Sequence, residues 1–204
     1  MRRPNFQYEK ELATAGYRAI AGVDEAGTGA LAGPVVAAAV ILPSNSRLGL
    51  LRDSKLLSAR QREKVFSLLH SRGAAFATGI VTIEEVNKMN IRAAALLAMR
   101  RAVNALALPP DALLVDAFKI PNLILPQRAV VHGDRLVKSI AAASVVAKVT
   151  RDALMLELAR QYPGYGFARH KGYGTAAHCR ALRRLGATPA HRLNFAPVKE
   201  CPRG

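Results

Sequence analysis

Short apolar runs, each bounded by glycine, proline or charged residues, recur along the chain as far as residue 131. They span residues 18–23, 34–42, 74–81, 112–115 and 129–131. Runs of this length are typical of buried strands, because a helix needs a longer periodic stretch to bury one face. A Gly-rich turn separates the first two runs, so the pattern predicts a hairpin there.

Patterns with helical spacing lie between and after these runs. Ser58 with Gln61, and Thr82 with Glu85, form capping boxes that mark two helix starts. The predicted helices span 58–71, 83–105 with a break near 87–90, 138–160, and 175–185. Strands and helices in this order predict an α/β fold with a mixed five-stranded sheet flanked by helices.

The length and composition suit one domain with a buried core. The chain has 204 residues, and 50% of them are hydrophobic. We expect a single domain over 1–204, with a core over about 18–160. Residues from about 161 to 204 are rich in glycine and basic residues and form a predicted helical C-terminal extension.

The net charge of the chain indicates which class of partner it binds. Thirty Lys and Arg residues against fourteen Asp and Glu residues give a formal net charge of +16. Such a field attracts polyanions, so nucleic acid is the leading partner. A place in a ribosome-like assembly remains open at this point, because charge carries no information about catalysis.

Cysteine content and hydropathy bear on the compartment. The two cysteines, Cys179 and Cys201, have no CxxC spacing, so neither a disulfide framework nor a zinc site is expected. The N-terminal residues have no apolar segment typical of a signal peptide, and the apolar run over 31–43 is too short to cross a bilayer. We therefore expect a cytoplasmic protein that does not interact with membranes.

The positions of the acidic residues indicate chemistry. Four of the fourteen acids follow apolar strand runs: Asp24, Glu25, Asp116 and Asp134. The carboxyl ends of strands in α/β sheets are where sites assemble, so these side chains can converge. Crowded carboxylates repel one another unless divalent cations neutralise them, and oxygen-only ligands favour Mg²⁺ or Mn²⁺. The alternative is that each acid merely caps a strand end or a helix start.

One geometric condition applies to the first pair of acids. Adjacent residues on a regular strand point to opposite faces of the sheet. Asp24 and Glu25 therefore share a site only if the strand bends, and Gly27 and Gly29 are placed to permit a bend.

Several long motifs occur in a fixed order. The chain carries AGVDEAGTGALAGPVVAAAVIL, DSKLLS, NI with LLAMRRAV, LLVDA, GD with SIAAASVVAKVTRD, YPGYGFARHKGYGT and GATPAHRLNFAPV. This series resembles type 2 ribonuclease H, the bacterial ribonuclease HII family, over about residues 18–199.

The resemblance implies a ribonuclease H-like fold and an endonuclease that hydrolyses the RNA strand of RNA–DNA hybrids. It also implies incision 5′ of ribonucleotides embedded in duplex DNA, by a two-metal-ion mechanism that leaves 3′-hydroxyl and 5′-phosphate ends. The family's four metal-binding and catalytic carboxylates match Asp24, Glu25, Asp116 and Asp134. The implied roles are DNA replication and ribonucleotide excision repair, performed by a monomer with Mn²⁺ or Mg²⁺.

The resemblance also implies a substrate-binding set. In the family, a Gly-Arg-Gly turn contacts the ribonucleotide 2′-hydroxyl and a tyrosine, here Tyr173, helps to sense the RNA–DNA junction. This chain departs from the pattern, because its turn reads Gly27-Thr28-Gly29 and lacks the arginine, and Ala30 stands where proline is common. Further candidates for contacts with phosphate or sugar are Lys55, Ser144, Lys148, Arg169, Lys171 and Arg192.

Two alternatives to this hypothesis stay open at the level of sequence. One is a DNA-cutting nuclease or transposase-like enzyme on the same fold. The other is a non-catalytic or impaired RNA–DNA hybrid-binding protein, in which the altered turn has removed activity. Retention of all four acids argues against the second, because like charges kept together without a metal role are destabilising.

Overall fold

The computed structural model describes residues 3–44, 46 and 48–201. Its strands are β1 (Ile20–Ala26), β2 (Val35–Ile41), β3 (Ala75–Val81), β4 (Ala112–Asp116) and β5 (Gln127–Val130). Its helices are α1 (Gln7–Thr14), α2 (Ala59–Ser71), α3 (Ile83–Val86), α4 (Ile91–Asn104), α5 (Gly133–Leu136), α6 (Lys138–Gln161), α7 (Phe167–His170), α8 (Ala176–Leu185) and α9 (Ala196–Lys199). A short 3-10 helix covers Ser54–Leu56.

The strands form one mixed sheet in the order β3-β2-β1-β4-β5. β1 pairs antiparallel with β2, and β2 pairs antiparallel with β3, which makes a meander of the first three strands. β4 lies parallel to β1, and β5 lies parallel to β4. The carboxyl ends of β1, β4 and β5 therefore meet at one edge of the sheet.

Helices cover both faces of the sheet. α4 packs its buried alanines, Met99 and Val103 against one face, and the central part of α6 packs against the other. α6 approaches β1 very closely, since a Cβ atom on Gly22 would lie 2.1 Å from the backbone carbon of Ser139. This contact sets the position of α6 relative to the carboxyl end of β1.

The C-terminal extension has its own apolar cluster, which includes Phe167, Leu182 and Met155 of α6. Asn87, in the break between α3 and α4, fastens the extension to the sheet domain. Its side-chain amide donates to the carbonyl of His191, and its side-chain oxygen accepts from the backbone amide of Leu193 at 2.9 Å. The predicted helix break is thus an attachment point.

A pair of buried histidines lies inside this extension. His178 Nδ1 lies 3.0 Å from the carbonyl oxygen of Tyr173, and its Nε2 lies 3.2 Å from Nε2 of His191. Nδ1 of His191 accepts from the backbone amide and hydroxyl of Thr188. One arrangement satisfies every contact, with both rings neutral: His191 donates to His178, and His178 donates to Tyr173.

The histidine pair predicts acid sensitivity. Burial, followed by the neighbouring His178, lowers the pKa of His191 to about 4. In an unfolded chain the pKa of a histidine is about 6.5. The unfolded chain therefore binds more protons as the pH falls from about 6.5 towards 4, and this contribution to stability is lost in that window. His191→Gln should flatten the decline in Tm between pH 7 and pH 5. Equal slopes for the variant and the unchanged protein would contradict the assignment.

The structure confirms the α/β fold, the mixed five-stranded sheet, both capping boxes and the break before Asn90. The sequence pattern did not predict α1, α5, α7 or α9, which are short. No helix within the described residues is long and apolar enough to cross a membrane.

Candidate active site

The four predicted carboxylates lie at the carboxyl edge of the sheet. Asp24 and Glu25 are near the end of β1, Asp116 is the last residue of β4, and Asp134 lies in α5. Asp116 Oδ1 accepts from the backbone amide of Gly133 at 2.7 Å, which ties the end of β4 to α5. Asp24 and Asp134 are both only 5% exposed. The topology thus places acids from three elements beside one another.

The charges of the first two acids act on each other although β1 continues through both without an interruption of its pairing with β2. β1 keeps a regular antiparallel register with β2, with Asp24 opposite Ala38 and Glu25 opposite Ala37. The ladder to β2 holds this part of the strand extended, whereas the parallel pairing with β4 already ends at Val23. The Asp24 carboxylate accepts a hydrogen bond of 2.7 Å from the Glu25 backbone amide, which holds it at the carboxyl edge of the sheet.

Burial and mutual repulsion make the negative charges costly. Burial, followed by the charges of Glu25 and Asp116, raises the pKa of Asp24 well above the usual range of an aspartate. Burial and then Asp116 raise the pKa of Glu25. Burial also raises the pKa of Asp116, with Asp134 adding to the rise. The four acids therefore interact as one group, and a bound cation would relieve all of them.

Two polar neighbours reach this group. Lys55 Nζ lies 3.5 Å from Asp134 Oδ2, and its side chain is 77% exposed at the mouth of the site. Ser144 is buried, its hydroxyl lies 2.8 Å from that of Ser54, and it partly opposes the rise in the pKa of Asp24. Lys55 is therefore open to a phosphate, but Ser144 supports the acids from inside the protein instead of facing a substrate as predicted.

The donor set fits a hard divalent cation. All four ligands offered are carboxylate oxygens, which suit Mg²⁺ or Mn²⁺ better than zinc. Within the described part of the chain, no three His, Cys, Asp or Glu side chains are placed closely enough to hold an ion by themselves. Mg²⁺ commonly uses one or two carboxylates together with water and substrate phosphates, so a ready-made cage is not required.

The Gly-Thr-Gly turn follows β1 directly. Gly27 has φ +96°, and a Cβ atom there would lie 2.0 Å from Nε of Arg151. Gly29 is exposed, and a Cβ atom on it would meet nothing within 4 Å. Gly27 thus fits against the protein interior, and Gly29 faces outward with an open approach to its backbone.

Arg192 does not occupy the position predicted for it. The residue is fully buried, and its guanidinium donates to the carbonyls of Thr28, Gly33 and Pro34. Burial, followed by the charge of Arg151, lowers its pKa to about 9. Arg192 therefore supports the turn from beneath and does not present its charge to a phosphate.

Arg151 of α6, which no sequence pattern marked as a site residue, has the same role. It is fully buried and donates to the carbonyls of Ala32, Pro34 and Lys171. Its guanidinium carbon also lies 5.4 Å from the ring centre of Tyr173. One buried cation thus connects the turn to the segment that carries the tyrosine. Its motif marked the position, but nothing local in the sequence indicated its burial.

Tyr173, which the resemblance assigns to sensing of the RNA–DNA junction, lies beside the turn. It forms an isolated antiparallel bridge with Ala30, and the backbone amide of Leu31 donates to the carbonyl of Gly172. The tyrosine is partly exposed, and Lys148 Nζ lies 5.6 Å from its ring centre. The turn and the tyrosine therefore form one continuous surface next to the carboxylates.

The remaining basic candidates differ in whether another group of the protein already holds their charge. Lys148 is held by Asp152 at 2.6 Å, and Asp152 also pairs with Arg62, so Lys148 is less available to phosphate than predicted. Lys171 donates to the carbonyl of Ala168. Arg169 is exposed and remains available.

Comparison with known proteins agrees with this arrangement. The family model described as "Ribonuclease HII" matches residues 21–198. A protein named "Ribonuclease HII" from Geobacillus kaustophilus is 56% identical over 194 residues, which are 95% of this chain and 74% of that protein. Another of that name from Laribacter hongkongensis is 53% identical over 186 residues, which are 90% of this chain and 94% of the relative.

Solved structures support the fold. The ribonuclease H2 of Pyrococcus horikoshii superposes with a TM-score of 0.75 at 24% identity, over 90% of this chain and 96% of that one. Bst-RNase HIII in complex with Mn²⁺ gives a TM-score of 0.71 at 22% identity, over 89% of this chain and 68% of that one. With its sheet order, its strand-end acids and a family match over nearly its whole length, this chain belongs to the ribonuclease HII family of hydrolytic endoribonucleases.

Proposed function

We propose that this chain hydrolyses the RNA strand of RNA–DNA hybrids and incises 5′ of ribonucleotides embedded in duplex DNA, leaving 3′-hydroxyl and 5′-phosphate ends. The observation that carries the proposal is the juxtaposition of four mutually repelling carboxylates with an open glycine turn and Tyr173. Its role would be in DNA replication and ribonucleotide excision repair, as a cytoplasmic monomer.

The carboxylates are the proposed metal and catalytic ligands. Two divalent cations, Mn²⁺ or Mg²⁺, would supply an activated water and stabilise the charge that develops on the leaving oxygen. The Mn²⁺ complex of the related fold in Bst-RNase HIII is consistent with this choice. Asp24, Glu25, Asp116 and Asp134 supply the negative potential, and Lys55 at the mouth is placed to contact the incoming phosphate.

Recognition of the ribonucleotide would come from the turn and the tyrosine. The 2′-hydroxyl is the group that distinguishes RNA from DNA, and it can both donate and accept hydrogen bonds. The exposed backbone at Gly29 permits close approach of a sugar, and the Tyr173 ring offers a surface on which it can pack. The side chain at position 28 is not needed for such backbone contacts, so Thr28 in place of arginine leaves them intact.

The proposed activity predicts strict dependence on divalent metal. Chelated protein should cut neither an RNA–DNA hybrid nor a duplex with one ribonucleotide, and added Mn²⁺ or Mg²⁺ should restore both reactions. The measurement is single-turnover cleavage with analysis of the product ends, and an all-DNA duplex of the same sequence is the control. Cleavage that survives exhaustive EDTA treatment would contradict the mechanism, and equal cutting of the all-DNA duplex would contradict the substrate.

A further inference from the structure

A basic pocket lies next to Asp134, one of the four carboxylates. It has a volume of about 490 Å³. It is lined by the 3-10 helix and the Asp53 that precedes it, and by α5 and the His132 that precedes it. These two segments also carry Lys55 and Asp134, which lie 3.5 Å apart, so the pocket borders the carboxylate group at Asp134.

Positive charge dominates the lining of the pocket. Arg3, Arg52 and Arg135 line it, and among the described residues that line it Asp53 is the only acid. The carboxylate of Asp53 is buried and already occupied, by Arg135 Nε at 3.2 Å and by the backbone amide of Lys55 at 2.9 Å. Within the described residues, neither Arg3 nor Arg52 has a carboxylate oxygen within ion-pair distance. Two arginines therefore line the pocket without an ion-pair partner in the part of the chain that the structure describes.

The rim of the pocket is apolar. Leu56 is 51% exposed and Val131 is 67% exposed, so aliphatic side chains border the pocket beside the arginines. Arginine charges next to exposed aliphatic side chains match a ligand that alternates phosphate with sugar and base. A free phosphate would use the arginines and leave the rim uncovered.

We propose that this pocket binds a phosphodiester of the nucleic-acid duplex, with its attached sugar, at a position flanking the one held at the carboxylates. The inference rests on the proposed function, since the duplex must reach the carboxylates first. Arg3 and Arg52 make the phosphate contacts, and Leu56 and Val131 cover the sugar. The pocket extends the binding surface beyond the turn and Tyr173.

The test removes the two unpaired arginines together, as Arg3→Ala with Arg52→Ala. On a long RNA–DNA hybrid we expect about tenfold weaker binding. We also expect a salt dependence of log K that is shallower by about 0.9 for each lost phosphate contact. The cleavage rate at saturating hybrid should change by less than about twofold, because the carboxylates are untouched.

A matched control removes the same charge elsewhere. Lys10 and Arg72 are exposed, and Lys10 and Gly73 lie near Ile20, at the edge of the sheet opposite the carboxylates. Lys10→Ala with Arg72→Ala should therefore leave the affinity and the salt dependence close to those of the unchanged protein. If the two double variants behave alike, the pocket does not bind the duplex and the inference is overturned.

Shortened duplexes identify which strand of the hybrid supplies the phosphate that the pocket binds. Hybrids that end just beyond the cleaved bond should bind the Arg3/Arg52 variant and the unchanged protein equally. Shortening the DNA strand alone and the RNA strand alone then shows which one supplies the phosphate. If the unchanged protein neither binds nor cuts the long hybrid, the proposed function fails. If it cuts normally while the Arg3/Arg52 variant matches it, only the pocket assignment fails.

Discussion

Asp24→Asn is expected to lower the rate of hybrid cleavage by more than about a hundredfold. Replacing a residue that only supports a metal ligand costs up to about a hundredfold, so the loss of a ligand should cost more. The amide keeps the size of the carboxylate and an oxygen that can accept from the Glu25 backbone amide. It removes the charge that would hold a cation, but it removes none of the basic groups that contact phosphate. Hybrid binding should therefore persist in the presence of metal.

The same substitution should stabilise the metal-free protein. Burial and two neighbouring carboxylates disfavour the ionised form of Asp24, so the raised pKa implies that its charge opposes folding at neutral pH. Relief of about 1 kcal/mol would raise Tm by about 2–4 °C in a chain of this size. A residue with only a structural role would lower Tm on replacement, so the two roles predict changes of opposite sign.

Three measurements on Asp24→Asn test this assignment: single-turnover cleavage, hybrid affinity, and Tm with and without Mn²⁺. Bound metal should raise the Tm of the unchanged protein and raise that of the variant much less, because binding to the folded state stabilises it. Glu157→Gln removes an exposed acid of α6 and should leave all three unchanged. Normal turnover by Asp24→Asn with saturating metal would remove Asp24 from the proposed site.

Sequence patterns predicted those parts of the fold that depend on interactions between residues close together in the chain. The capping boxes at Ser58 and Thr82 satisfy helix amides within one turn, and the structure contains both. The strand-end positions of the acids also predicted which edge of the sheet would collect them, because parallel strands align their carboxyl ends. α1 was missed because it is short: only Tyr8 and Leu12, four residues apart, pack against the core, and none of its residues is fully buried.

The roles of the two buried arginines depend on distant residues. Arg192 donates to carbonyls near position 30, more than 150 residues earlier in the chain, and Arg151 joins that segment to Lys171. In the sequence, arginines in basic surroundings are typical of phosphate contacts, and no local pattern distinguishes a cation buried against carbonyls. The continuation of β1 through Glu25 likewise depends on its pairing with β2.

Two alanine substitutions in the Gly-Thr-Gly turn are expected to separate its packing from its recognition of substrate. Gly27→Ala would place a Cβ atom 2.0 Å from Arg151 Nε, and Arg151 is buried and held by three carbonyls. Overpacking costs about 1–3 kcal/mol, and a left-handed backbone at a residue with a Cβ atom adds about 1–2 kcal/mol. We therefore expect Gly27→Ala to lower the free energy of unfolding by about 2–5 kcal/mol.

Gly29→Ala is the matched partner, since the same methyl group is added two residues away. It meets nothing within 4 Å, so the free energy of unfolding should change by no more than about 0.5 kcal/mol. If the exposed backbone at Gly29 approaches the ribonucleotide sugar, the methyl group will obstruct that approach. Gly29→Ala should then raise KM for a duplex with a single ribonucleotide, with kcat much less affected because the carboxylates stay in place.

Denaturant unfolding and steady-state kinetics on both variants, at a temperature where Gly27→Ala is folded, distinguish the two effects. A large loss of stability in Gly27→Ala with none in Gly29→Ala would assign the inner glycine to packing against Arg151. Equal loss in both would mean that the whole turn is held tightly and that Gly29 is not open. Unchanged KM in a fully stable Gly29→Ala would remove the backbone at this position from recognition of the 2′-hydroxyl, and Tyr173 would then be the remaining candidate.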